Sequence, residues 1–428
     1  MSPLLQVALD FLELDRALKL AMEAAAGGAD WLEAGTPLIK SVGLDCVREL
    51  RKVFPRHTIV ADMKTMDVGR LEVESAAKAG ADIVAVLGLA SDSTVAECIQ
   101  AAEHYGAGIM VDLLGVRDCP QRARELEAIG ANHVGLHVPI DEQMEGKVRF
   151  KEIGRVVDRV SIPVAVAGGI HSENAWMAVE AGANVLIVGG AITKSPDARR
   201  ATEEIKRAID RRVSISTTLF KRGGDDTFRE VLEKVSTANV SDAMHRQASL
   251  EGIRAVVPGS RMIGPVVTVR TYPGDWAKPV EAIDQAQEGD VIVVDAGGVG
   301  PAVWGELASH SAQERKLGGV LIDGAVRDVQ EIRRIGFPAF AKIISPTAGE
   351  PKGFGEIGIP VNIAGTRVFS GDWVIGDDDG VMVIPGKRAT EVANRAMDVL
   401  ERENRIRKEI ADGGTLGRVT ELLKWEKT

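Results

Sequence analysis

Residues able to hold a metal or move a proton recur at the ends of short apolar runs in the first 200 positions: Asp10 after LLQVAL, Glu33 in DWLEAGT, Asp62 and Lys64 in HTIVADMKTMD, Asp112 after GIMV and His137 closing HVGLH. Two later runs end in glycine pairs, Gly168-Gly169 after PVAVA and Gly189-Gly190 after VLIV. The sharpest motif is Asp62-Met63-Lys64-Thr65-Met66-Asp67. Residues two apart on a strand point to one face, so Asp62 and Lys64 are expected side by side. An ammonium among carboxylates keeps its charge and can stabilise a developing enolate oxygen. An enediolate also calls for a divalent cation across two oxygens, and hard carboxylates suit Mg²⁺. The glycine pairs fit a phosphate held by backbone N–H groups and a short helix N-terminus. His133 and His137 lie roughly 13 Å apart along a strand, too far for one metal, so only His137 reaches the mouth. One strand-end Asp is more often a helix cap than a catalyst, but seven such ends carrying acid, base or phosphate-loop chemistry point to an enzyme.

The elements that must position these residues are eight short runs: LLQVALD (4–10), DWLEAG (30–35), HTIVAD (57–62), DIVAVLG (82–88), GIMVDLL (108–114), HVGLHV (133–138), PVAVAGG (163–169) and VLIVGG (185–190). Alanine-rich amphipathic stretches such as LDRALKLAMEAAAGG alternate with them, several closed by an A-G turn that suits a helix C-cap. Strands this continuously apolar belong to parallel sheets covered on both faces. Eight of them predict an α/β fold, a (β/α)₈ TIM barrel over residues 1–212, with its site at the C-terminal strand ends. The competing arrangement is an open doubly wound sheet. The count of eight and the missing G-x-G-x-x-G after the first strand favour the barrel.

The chain has 428 residues, more than the roughly 250 a single barrel needs. Residues 213–226, a mix of Ser/Thr, a K-R-G-G break and two acids, read as a linker. Residues 227–428 then predict a mixed α/β domain ending in a charged helix, ATEVANRAMDVLERENRIRKEI. Asp377-Asp378-Asp379-Gly380 lacks the spacing of a calcium loop and reads as a hairpin turn. The candidate site here is Glu306, Arg327 and Asp328, near Gly297-Gly298 and Glu331; Arg beside Asp at a strand end offers a carboxylate clamp next to a metal ligand. A net charge of −10 argues against nucleic acid as a partner. Cys46, Cys98 and Cys119 are too scattered for a disulfide framework or a thiolate zinc site. No apolar run approaches the roughly 18 residues of a membrane span, and MSPLLQVALDFLELD has no basic leader-like region. A cytoplasmic protein without a membrane partner is expected.

LQVALD, ADWLEAGTPLIK, IVADMKTMD, VAVAGGI and VLIVGGAIT closely resemble the 3-hexulose-6-phosphate synthases of the orotidine 5′-phosphate decarboxylase superfamily, over essentially all of residues 1–212. The resemblance implies a Mg²⁺-dependent aldol lyase of the ribulose monophosphate pathway, joining formaldehyde to the sugar phosphate ribulose 5-phosphate and reversing that step. It implies that Glu33 and Asp62 hold the metal and that Lys64 and Asp67 contact the enediolate and substrate hydroxyls. His137 would carry the proton and Asp10 would contact substrate. Asp67 would serve the neighbouring subunit's site across a dimer interface. One departure is Gly189-Gly190-Ala191, where related decarboxylases place an Arg, so phosphate binding would rest on backbone amides with Lys194. An orotidine decarboxylase needs no metal, and Glu33 counts against it. A 3-keto-gulonate-6-phosphate decarboxylase shares the metal and the enediolate and is the nearest alternative, paired in that case with a catalytically active aldolase domain.

In the second half STANVSDAM, VIVVDAGG, GELA, GGVLIDGAVRD and GFPAFAK resemble the family of regulator of ribonuclease activity A and the class II 4-hydroxy-4-methyl-2-oxoglutarate aldolases, over about 227–400. The aldolases carry D-x₂₀-R-D; this chain has Glu306-x₂₀-Arg327-Asp328. The resemblance implies Arg327 on a pyruvyl carboxylate and Asp328 on Mg²⁺, with the longer Glu306 displacing the proton donor. The domain is therefore either a pyruvate aldolase, making the chain bifunctional, or a binding and assembly module. No S-adenosylmethionine glycine motif supports a methyltransferase. The barrel family is dimeric and the regulator family trimeric, so a homo-oligomer is implied. A hexamer is the smallest assembly that satisfies both interfaces; loss of one leaves a dimer or trimer.

Overall fold

The computed structural model describes residues 2–145, 150–217, 219 and 222–420. Positions 218, 220 and 221 of the expected linker and 421–428 of the expected second domain lie outside the described residues.

Eight parallel strands close into a barrel: β1 (Leu4–Leu9), β2 (Trp31–Ala34), β3 (Thr58–Thr65), β4 (Ile83–Leu87), β5 (Gly108–Asp112), β6 (His133–His137), β7 (Val164–Ala167) and β8 (Val185–Val188), with β8 pairing back to β1. Alternate residues such as Val60, Ile83, Met110, Ala165 and Val185 pack together as the inner cluster. Their neighbours, among them Val7, Leu32, Ile59, Val84, Val111, Val134 and Leu186, pack outward against the helices. Both strand faces are thus dry, which is why the runs show no polar alternation. The first connecting helix, Leu14–Ala26, buries Ala17, Leu20, Ala21 and Ala24, the i, i+3, i+4, i+7 stripe of a helix packed on one face.

The second unit is built on a mixed sheet. Four parallel strands, Met262–Arg270, Val291–Asp295, Gly319–Val326 and Ala339–Ile344, lie in that order. The hairpin Trp373–Asp377 and Gly380–Ile384 adds antiparallel to the first of them. Every residue of Gly319–Val326 is buried, as the central strand of a sheet with helices on its faces requires. Asp377 closes the hairpin turn by pairing with Gly380, and its carboxylate accepts bonds from Thr237 N, Thr237 Oγ1 and Asp379 N at 2.9, 2.6 and 3.1 Å.

The compact units do not follow chain order. One holds the ranges 1–143, 147–221 and 401–428; the other holds 144–146 and 222–400. The sequence assigns the whole C-terminal helix to the second domain, but the helix Ala389–Ala411 divides at Leu400/Glu401. Charges of its last turns find partners on the barrel: Arg405 pairs with Glu23 at 2.9 Å, and Glu409 with Arg16 at 3.3 Å. Among the described residues no helix is long and apolar enough to cross a membrane.

Candidate active site

The barrel's C-terminal rim gathers Asp10 after β1, Glu33 on β2, Asp62 and Lys64 on β3, Asp112 ending β5 and His137 ending β6. The Lys64 ammonium lies 3.0 Å from Asp62 Oδ2 and 2.8 Å from Asp112 Oδ2. His137 Nδ1 lies 3.1 Å from that same Asp112 oxygen. Burial works against the charge on Lys64, but Asp62 and Asp112 outweigh it and hold the ammonium above the ordinary lysine range. Burial likewise opposes ionised Asp112; the hydrogen bond and charge of His137, with Lys64, overcome it and lower its carboxyl.

The pairing of Asp62 with Lys64 is reached by a route that simple alternation misses. The β3–β4 register shifts between Ala61 and Thr65, and Lys64 adopts φ +47°. A bulge with a left-handed lysine turns the ammonium back onto Asp62. Such backbone costs on the order of 1–3 kcal/mol and persists where surrounding contacts impose it; here two ion pairs do so.

Toward β1 and β2 the acids gather. Burial first, then the charges of Asp62 and Asp10, raise the Glu33 carboxyl well above its usual range, against a hydrogen bond donated by Gln6 Nε2. Asp10 has one side open to solvent, yet burial in the mouth and the charge of Asp62 raise its carboxyl too. The Thr36 hydroxyl is 2.8 Å from Asp62 Oδ2 and 2.7 Å from the Asp62 carbonyl, so its single proton serves one of them. Gln6 Oε1 is buried without a partner. Repelling carboxylates beside an orphaned amide oxygen are a donor set for a hard cation. Among the described residues no three His, Cys, Asp or Glu side chains form a ready metal cage. Mg²⁺ fits nonetheless, because it keeps several waters and needs only one or two carboxylates, which Glu33 and Asp62 can supply.

Two glycines are required sterically. A Cβ on Gly35 would collide with the Asp10 carboxylate and sit 3.0 Å from Leu9 O. Gly168 adopts φ +105°, and a Cβ there would lie 2.7 Å from Val138 O and 2.9 Å from Val138 Cβ. Gly169 follows in the same left-handed turn, its carbonyl accepting a 2.9 Å bond from Asn174 Nδ2. Gly189 precedes the short helix Gly190–Thr193, and Lys194 follows it, near enough to Asp10 to offset a small part of the rise in its carboxyl pKa. The two glycine turns thus follow β7 and β8 at the rim that carries Asp10.

Asp67 stands apart from the cluster. It is exposed in the turn before the helix Gly69–Ala79, with Oδ1 accepting the Val68 N–H at 2.7 Å. His133 packs edge-on to Trp31 at 5.6 Å, and burial lowers its pKa. Three residues in contact with the cluster carried little signal in the sequence. Asp112 stood out only as a strand end, Thr36 only within E-A-G-T, and Gln6 only as a polar residue inside an apolar run.

In the second unit Glu306 begins the helix Glu306–Glu314 and Arg327-Asp328 follows the strand Gly319–Val326. Asp328 Oδ2 accepts the Glu306 N–H at 3.3 Å and lies 3.3 Å from Arg327 Nε. The Glu306 carboxylate is 3.3 Å from His310 Nε2. Asp328 therefore meets Arg327 and the backbone of Glu306, whose carboxylate turns to His310, while Glu331 turns to Arg334 at 2.9 Å. Gly298 lies beside Asp323 and Lys342, which pair at 3.3 Å.

Two family models match the chain: orotidine 5′-phosphate decarboxylase / HUMPS over residues 3–205, and RraA-like, Aldolase/RraA, over residues 237–383. Over 205 residues the chain is 41% identical to a 3-hexulose-6-phosphate synthase of Mycobacterium gastri, spanning 48% of this chain and 99% of that protein. Over 206 residues it is 34% identical to a 3-hexulose-6-phosphate synthase of Bacillus subtilis (strain 168), spanning 48% and 98%. The structure of the RNA-processing inhibitor RraA from Thermus thermophilis is 28% identical, with TM-score 0.34, covering 36% of this chain and 93% of that one.

Proposed function

For a chain that belongs, through residues 3–205, to the orotidine 5′-phosphate decarboxylase / HUMPS family and carries an RraA-like domain behind it, we propose a Mg²⁺-dependent aldol lyase interconverting ribulose 5-phosphate and formaldehyde with 3-hexulose 6-phosphate. The barrel is an aldehyde-lyase, matched at up to 41% identity by 3-hexulose-6-phosphate synthases. The observation that carries the reaction is the single Asp112 oxygen shared by Lys64 and His137.

Glu33 and Asp62 would hold Mg²⁺, which when bound would supply positive charge to stabilise the enediolate. His137, oriented by Asp112 at Nδ1, takes the C1 proton of ribulose 5-phosphate at Nε2. Lys64 stabilises the negative charge that develops on oxygen. The electron pair left on C1 forms the new bond to the formaldehyde carbon, and the imidazolium returns its proton to the resulting alkoxide. Asp112 stabilises that imidazolium. Asp10 contacts the substrate, and Asp67 reaches the site of a neighbouring subunit. Gly168, Gly169, Gly189 and Gly190, with Lys194, receive the phosphate. Formaldehyde consumption with ribulose 5-phosphate, measured with and without Mg²⁺, tests the reading; absence of Mg²⁺-dependent turnover overturns it.

For the second unit we propose a carboxylate-binding aldolase-type site, supported by the pairing of Arg327 with Asp328 beside the backbone of Glu306. Both units are proposed to self-associate, the barrel as a dimer and the second unit as a trimer, giving a hexamer. Met66, Val68 and Leu71, at 51, 57 and 60% exposure around Asp67, support the first interface. Apolar side chains this open are common at subunit contacts. Light scattering on the full chain checks the state; a monomer or a lone dimer at micromolar concentration counts against the hexamer.

A further inference from the structure

Arg405, near the far end of the chain, is only 5% exposed. Its Nη2 and Nη1 bind the two Glu23 oxygens at 2.9 and 3.2 Å, and its Nε binds Glu409 at 3.0 Å. Nη1 also donates to the Ser195 carbonyl at 3.0 Å and reaches the Pro196 carbonyl at 3.5 Å. A planar guanidinium that engages a carboxylate on two nitrogens and a carbonyl beside it fixes a geometry, which an exposed ion pair does not.

Ser195 follows directly on the phosphate turn proposed above. Its N–H bonds to Ile192 O at 3.1 Å, Ile192 N bonds to Gly189 O at 2.9 Å, and Lys194 N bonds to Gly190 O at 3.1 Å. Ser195 Oγ bonds to Asp197 O at 2.9 Å, and Asp197 caps the next helix through Arg200 N at 2.9 Å. An unbroken hydrogen-bonded path thus runs from Arg405 through Ser195 to Gly189. The synthases matched above are covered to 98–99% by about half of this chain, which leaves no length in them for a counterpart of residues 401–411.

We infer that Arg405 is a positioning residue for the phosphate turn: it holds the Ser195-Pro196 carbonyls against Glu23 on the helix Leu14–Ala26 and thereby sets where Gly189, Gly190 and Lys194 meet the substrate phosphate. This inference rests on the barrel acting on a sugar phosphate. Because the turn recognises phosphate through backbone, its placement is its specificity, and small displacements weaken binding steeply.

The full chain is compared with Arg405→Ala, Arg405→Lys and, as a control on the same helix, the exposed Arg407→Ala. Readouts are kcat, KM for ribulose 5-phosphate, the dissociation constant of inorganic phosphate by calorimetry, and the melting temperature. In Arg405→Ala, KM and the phosphate constant rise together, on the order of tenfold, while kcat moves by less than about threefold. Arg405→Lys, which can still reach one carbonyl, recovers part of the loss, and Arg407→Ala matches the wild type. A folded Arg405→Ala with unchanged KM and phosphate affinity overturns the inference, as does an equal effect from Arg407→Ala. Should Arg405→Ala not fold, Glu23→Gln is measured instead, and an unchanged KM there overturns it. A wild-type chain that binds phosphate but turns over no ribulose 5-phosphate rejects the reaction, and the calorimetric comparison still decides the role of Arg405.

Discussion

Asp112 Oδ2 lies 2.8 Å from Lys64 Nζ, and the same oxygen faces His137 Nδ1 at 3.1 Å. In the proposed mechanism this one carboxylate orients both the cation and the imidazole. Lys64→Ala is expected to lower kcat about 10²–10³-fold, as for loss of an oxyanion donor. Asp112→Asn should cost a comparable or larger factor, on the order of 10²–10⁴-fold, because the imidazole loses its orienting acceptor. Steady-state kinetics at saturating Mg²⁺ check both, and near-full activity in either variant would rule out the enolate mechanism.

The Glu33 carboxyl is raised above its ordinary range by burial, then by Asp62 and Asp10. A carboxyl raised on folding stabilises the protein most below the unfolded value and loses that contribution as pH rises through the folded one. Mg²⁺ works in the other direction, since it requires the ionised form. The rise in melting temperature on adding Mg²⁺ should therefore be larger at pH 8 than at pH 5.5. Glu33→Gln should abolish that response and, at pH 8 without metal, stabilise the protein by about 1 kcal/mol by removing a repelled buried charge. Equal Mg²⁺ shifts at the two pH values would contradict this.

Asp67 is exposed and lies outside the Asp62–Lys64–Asp112–His137 cluster of its own chain. If it serves a neighbouring subunit, Lys64→Ala and Asp67→Ala chains, each inactive alone, should complement. In randomly mixed dimers half are heterodimers with one intact site of two, so about a quarter of wild-type activity should return. Verified heterodimers without activity would show that Asp67 acts within its own chain or not at all.

In the second unit, Arg327 is 45% exposed beside Asp328, open to a small carboxylate. The full chain, given a 4-hydroxy-2-oxo dicarboxylate and Mg²⁺, should release pyruvate slowly, and Arg327→Ala should remove that release by 10²-fold or more, as for other lost charged contacts to a substrate. Coupled detection of pyruvate reads it directly. No release from the wild-type chain would leave the unit a binding and assembly module.

The eight barrel strands were legible because each is a short, largely apolar run alternating with amphipathic helix, a pattern that local periodicity reports. The acids and bases were legible for the same reason: polar residues at the ends of such runs have one place to go. What escaped depended on three-dimensional pairing. Lys64 reaches Asp62 through a bulge at φ +47°, which no spacing rule reports. Gln6 looks like an interruption of an apolar strand until Glu33 is found beside it. The helix Ala389–Ala411 is charged along its length, and nothing local shows that Arg405 is buried against Glu23 while Arg407 pairs at the surface with Glu403.

That helix has a bearing on the history of the chain. Two ancestral genes joined end to end are ordinarily separable again at the seam, here near residues 213–226. Once the barrel came to include residues 401–411, a cut at the seam no longer yields two intact proteins, because one of them lacks a piece encoded at the other's far end. Descendants of this gene should be found whole, and attempts to express its halves as separate polypeptides should recover the barrel in full only when the tail is supplied as well.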